Sequence, residues 1–122
     1  VAHNEKAVDN LKKFLEEKKL NKKDISIIFH CSESKDPIKL IGPLRTFISN
    51  LNVPRIKNFR LHDEKYLKEK IENEMNIKTK IYDSLESSIK DIRSMNPNSL
   101  ILIFGSFYLA GEFYKLPLSK NV

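Results

Sequence analysis

Apolar residues return every three or four positions over residues 5–20, at Ala7, Val8, Leu11, Phe14 and Leu15, with lysines and glutamates on the opposite side. That spacing predicts an amphipathic helix with Asn4 as its N-cap. The period then changes. Ile-Ser-Ile-Ile-Phe-His at 25–30 is a short, β-branched, apolar run of the kind found in a strand buried on both faces. Asp36-Pro37 predicts a second helix, capped by the aspartate and begun by the proline. It would bury Leu40, Ile41, Leu44, Phe47 and Ile48, although Gly42 interrupts it. Residues 54–61 read as a weaker strand. Asp63 can cap a third helix carrying Leu67, Ile71 and Met75. Ile77, Thr79 and Ile81 alternate with lysines, as in a strand near a sheet edge. Asp83 and Glu86 resemble a capping box for a helix through Leu85, Ile89 and Ile92. After the turn Asn96-Pro97-Asn98, Ser99 to Phe104 is the most apolar strand, and Gly105-Ser106 opens a last helix to about Lys115.

Strands separated by helices imply right-handed crossovers, and so an α/β, three-layer, Rossmann-like domain with a mostly parallel sheet. The chain opens on a helix, so the first strand of such a fold is expected to be missing. The 122 residues suit a single domain, 1–122. Cys31 is the only cysteine, which excludes an internal disulfide and a cysteine-built zinc site. No apolar run reaches the length of a membrane span, and no signal-peptide pattern opens the chain. A cytoplasmic location is therefore expected, or an organelle matrix, with no membrane partner. The net charge of +6 would draw anions. Yet the lysines sit beside glutamates, as in Glu16-Glu17-Lys18-Lys19 and Lys68-Glu69-Lys70, which is how solvated helix faces look. No arginine-rich or aromatic-interleaved patch stands out, so no nucleic-acid partner is expected.

In open α/β sheets ligands bind beyond the carboxyl ends of the strands. Three segments would lie there: Val1-Ala2-His3-Asn4, His30 to Asp36, and Gly105-Ser106-Phe107-Tyr108. Each has a plain structural role open to it. His3 can be a frayed terminal residue, Asn4 only a helix cap, Lys35 a solvated loop lysine and Ser106 an N-cap. His30 and Cys31 read as a buried strand end rather than as metal or thiol chemistry, His62 as a loop residue, and Phe107 and Tyr108 as packing.

Val1-Ala2-His3-Asn4 resembles the D-[GV]-A-H-N motif of the folylpolyglutamate and dihydrofolate synthases of the Mur ligase superfamily, without its acidic residue. Ser99 to Glu112, Ser-Leu-Ile-Leu-Ile-Phe-Gly-Ser-Phe-Tyr-Leu-Ala-Gly-Glu, resembles their last strand, Gly-Ser turn and final helix. Ser34-Lys35-Asp36 falls where these enzymes commonly carry Asp-Lys-Asp, with Ser34 in place of the first aspartate. The resemblance implies the carboxy-terminal, glutamate-binding lobe of an ATP-dependent ligase that joins L-glutamate to dihydropteroate or folate. It implies His3 as a catalytic residue that also touches ATP, and Lys35, Ser106 and Asn4 as glutamate-binding residues. The glycines stand at 42, 105 and 111, and none fits the phosphate loop G-x-x-x-x-G-K-[ST]. ATP and magnesium would then be held mainly by an N-terminal ATPase domain of the same enzyme, and the isolated chain is expected to be inactive. The residues leave two other classes open: a stand-alone α/β ligand-binding or regulatory module, and a basic nucleic-acid binder.

Overall fold

The structure is a computed structural model that describes residues 4–117. At its centre is β1 (Ile25–Phe29), whose five residues are all buried. On one side β1 pairs in parallel with β4 (Leu100–Phe104), in register from Ile25 and Leu100 to Phe29 and Phe104. On the other it pairs with β2 (Asn50–Pro54), which in turn pairs with β3 (Lys78–Tyr82). The order β3-β2-β1-β4 is parallel throughout and puts β3 at an edge, as its alternating lysines imply. The expected α/β, Rossmann-like class is what the chain adopts.

Alternation along β1 divides the core. Ile27 and Phe29 face a cluster built with α1 (Glu5–Glu17), α2 (Pro37–Ile41) and α3 (Glu64–Met75), through Val8, Leu15, Leu40, Leu67 and Ile71. Ile28 faces the other side, with Leu85, Ile89 and Ile92 of α4 (Leu85–Met95) and Leu109 of α5 (Phe107–Lys115). Helices on both faces of one sheet make the three layers. The lysine-rich helix surfaces pair locally, as Lys68 with Glu72, Lys70 with Glu74 and Lys90 with Glu86.

Three expected boundaries are corrected. The strand expected at 54–61 is Asn50–Pro54, and residues 55–61 form a loop. Asn52 is a poor strand former, but its side-chain amide donates to the Ile27 carbonyl at 2.8 Å, which satisfies it inside the sheet. The helix expected to run from Asp36 through Ile48 stops at Ile41 and continues as a 3-10 turn from Gly42 to Phe47. Pro43 has no N–H to extend an α-helical ladder. Ser84, not Asp83, caps α4, and Ser87 rather than Glu86 returns the hydrogen bond.

Candidate functional site

Because β1 and β4 are parallel neighbours, the chain leaves both at the same edge of the sheet, after Phe29 and after Phe104. The loop that carries Lys35 and the turn that carries Ser106 therefore share the carboxyl edge. The connection after β4 hugs β1. Gly105 has φ +110°, and a Cβ there would lie 2.1 Å from the His30 carbonyl oxygen. Only glycine fits both the backbone angle and the approach.

Asn4, Glu5 and Lys6 at the start of α1, Lys35 and Asp36 just before α2 and Leu40 within it line one cavity of about 360 Å³. Asn4 Oδ1 caps α1 by accepting from the Ala7 N–H at 2.9 Å, and Asp36 Oδ1 caps α2 by accepting from the Ile38 N–H at 2.9 Å. Lys35 is exposed, and its ammonium makes no ion pair among the described residues. The cavity thus presents two ammonium groups, two carboxylates and the Asn4 amide, a set that suits a small zwitterion.

Of the site residues expected from the sequence, the structure brings Asn4 and Lys35 together. Ser106 stands apart from their cavity, 4% exposed, with its hydroxyl accepting from the Tyr108 N–H at 3.0 Å as the N-cap of α5. It can offer a ligand the helix N-terminus more readily than its hydroxyl. His3 lies outside the described residues.

Tertiary folding adds contacts that no local spacing signals. The loop after β2 laces over the Lys35 loop: Ser32 bridges Leu61, and His62 Nε2 donates to the Lys35 carbonyl at 2.8 Å. The Arg60 guanidinium donates to the Tyr108 hydroxyl at 2.7 Å, which ties the same loop to α5. Beneath it, His30 is fully buried against Glu64, with Nε2 to Oε2 at 2.6 Å. Burial holds the imidazole below its ordinary pKa, against the raising effect of Glu64. Cys31 is buried too, and burial pushes its thiol up to about 12, so it is a protonated, unreactive group at neutral pH. Among the described residues, no group of three or more His, Cys, Asp or Glu side chains could hold a metal ion. No helix among them is long and apolar enough to cross a membrane.

Residues 1–116 match the sequence family described as dihydrofolate synthetase, C-terminal domain. No curated protein matched in the sequence comparison. Among solved structures, FolC of E. coli in complex with ADP superposes with a TM-score of 0.80 at 17% identity, over 99% of this chain and 28% of that one. The Helicobacter pylori folylpolyglutamate synthetase gives 0.72 at 22% identity, over 94% of this chain and 27% of that one. The Mycobacterium tuberculosis folylpolyglutamate synthase complexed with ADP and AMPPCP gives 0.73 at 18%, over 94% and 28%. The chain thus spans little more than a quarter of the length of these structures.

Proposed function

The chain belongs to the family of dihydrofolate synthetase C-terminal domains, and from that premise we propose that it is the glutamate-holding lobe of an ATP-dependent ligase acting on dihydropteroate or folate. In such a ligase ATP transfers its γ-phosphoryl group to a substrate carboxylate, giving ADP and an acyl phosphate. The amine of L-glutamate attacks the acyl carbon, the C–O bond to phosphate breaks, and an amide, inorganic phosphate and a proton result. The barrier is met by charge stabilisation around the phosphoryl group and by orientation of the amine.

The observation that carries this reading is the cavity shared by Asn4 and Lys35 at the carboxyl edge. Lys35 and Lys6 can each take a carboxylate of glutamate, and Asp36 or Glu5 can take its ammonium. Ser106 would assist through the N-terminus of α5, and His3, by family resemblance, would act nearer the phosphoryl group. The sequence holds no phosphate loop, and the described residues offer no metal-ligand cluster, so nucleotide and magnesium are assigned to an N-terminal ATPase domain.

The test is to assay the purified 122-residue chain and the full-length enzyme side by side. The full-length enzyme should join glutamate to a pteroate or folate acceptor with release of ADP, and the chain alone should not. Ligation by the chain alone would overturn the division of labour, and no ligation by the full-length enzyme would overturn the reading.

A further inference from the structure

Beside the Lys35 cavity lies a buried ionisable pair that the ligation chemistry leaves unused. The Cys31 N–H donates to His30 Nδ1 at 3.0 Å, so Nδ1 holds a lone pair. The hydrogen of a neutral imidazole must then be on Nε2, which donates it to Glu64 Oε2. The ring therefore has one tautomer and two fixed bonds, each at the root of a different element. Cys31 opens the loop to Lys35, and Glu64 opens α3. The Cys31 carbonyl accepts from the His62 N–H at 3.1 Å, and the His62 imidazole holds the Lys35 carbonyl, so the ring is connected through the Cys31 backbone and His62 to the residue that lines the cavity.

We propose that His30 is a positioning residue: braced on Glu64, it holds the loop from Cys31 to Asp36 so that Lys35 meets the glutamate carboxylate. The inference rests on the reading of Lys35 given above. The arrangement asks for an imidazole in particular. An apolar side chain would leave the Cys31 N–H without an acceptor and the Glu64 carboxylate, in a residue only 9% exposed, with only the long bond from the Ile56 N–H at 3.5 Å. A proton added at Nδ1 would face the Cys31 N–H donor to donor and release the loop. The charged and titratable groups that act on the ring are Glu64 from α3 and His62 from the lacing loop. From β4 and its turn, the Phe104 carbonyl accepts from the His30 backbone N–H and Gly105 packs against the His30 carbonyl.

The full-length enzyme tests this. His30→Asn keeps an oxygen for the Cys31 N–H and loses the bond to Glu64; it should raise the glutamate KM roughly five- to tenfold while the ATP KM and kcat change little. In wild type the glutamate KM should rise as pH falls below the ordinary histidine range. Glu64→Gln still accepts from Nε2 but removes the charge that favours the imidazolium, so the rise should move to lower pH. Lys35→Ala is the reference. If it raises the glutamate KM while His30→Asn changes only thermal stability, the positioning role is overturned and the glutamate reading stands. If Lys35→Ala itself leaves the glutamate KM unchanged, the glutamate reading fails and this inference with it. Should His30→Asn not fold, Glu64→Gln decides: a pH profile that stays in place overturns the proposal, and a displaced one supports it.

Discussion

A methyl group on the α-carbon of Gly105 would lie 2.1 Å from the carbonyl oxygen of His30 and 2.7 Å from the Phe29 ring. Neither neighbour can yield easily, since one is backbone and the other is part of the core. Gly105→Ala should therefore cost about 2–4 kcal/mol, from the left-handed backbone angle and the overlap together. Denaturant titration of the variant would measure it. The neighbouring Gly111, with open space around it, should tolerate alanine at no cost.

Lys35→Ala should raise the glutamate KM of the full-length enzyme by roughly 10- to 150-fold, the equivalent of about 1.5–3 kcal/mol for a lost hydrogen bond to a charged group. ATP affinity should change far less. Ser106→Ala should have the smaller effect on KM and should chiefly lose about 1 kcal/mol of stability as a lost N-cap. Steady-state kinetics with glutamate and ATP varied separately would separate these outcomes.

Asn4→Asp isolates charge from capping. Aspartate caps a helix about as well as asparagine, so α1 should keep its stability. The new carboxylate faces the cavity that holds Lys35 and Asp36. Glutamate binding should weaken with thermal stability unchanged, and calorimetric titration alongside a melting curve would check both.

Cys31 should ignore thiol reagents in the native state. Its thiol is buried and pushed up to about 12 by desolvation, with the nearby Asp36 charge adding to the effect. Labelling with an aromatic disulfide reagent should follow the unfolding transition in denaturant, with no reaction before it.

Acid should weaken the fold through His30. Its folded pKa is lowered from 6.5, mainly by burial, so the unfolded chain takes up the proton first. The stability this group contributes is present above about 6.5 and is lost as pH falls from there through the lowered folded value. His30→Gln should flatten that stretch of the curve of Tm against pH, though its Tm at neutral pH would be lower.

Most of this architecture was legible from local pattern. The buried run at 25–30, the apolar run at 99–104 and the stripes of α1, α3 and α4 each carry a period that one element alone produces. β2 hid because its residues, with Asn52 and a final Pro54, become strand-like only once Ile27 supplies an acceptor. Gly42-Pro43 marked the end of α2, yet the apolar spacing through Ile48 ran on past it into a tighter 3-10 turn. At the site, the rule that ligands gather at the carboxyl edge was enough to pair Asn4 with Lys35. Ser106 reaches the same edge outside that cavity, with its hydroxyl engaged as the cap of α5. His30 and Glu64 are 34 residues apart, and nothing in the spacing of either announces the other.

The strand order has a consequence for how the chain is made. β1 is the central strand, and its partner β4 arrives about 75 residues later in the chain. At ordinary rates of synthesis that interval is about 4–15 s, far longer than hydrophobic collapse needs. Throughout it an apolar, β-branched strand has one hydrogen-bonding edge unpaired. The nascent chain should be at its stickiest after β2 has docked and before Phe104 has left the ribosome, which is when a chaperone that shields strand edges would most change the yield.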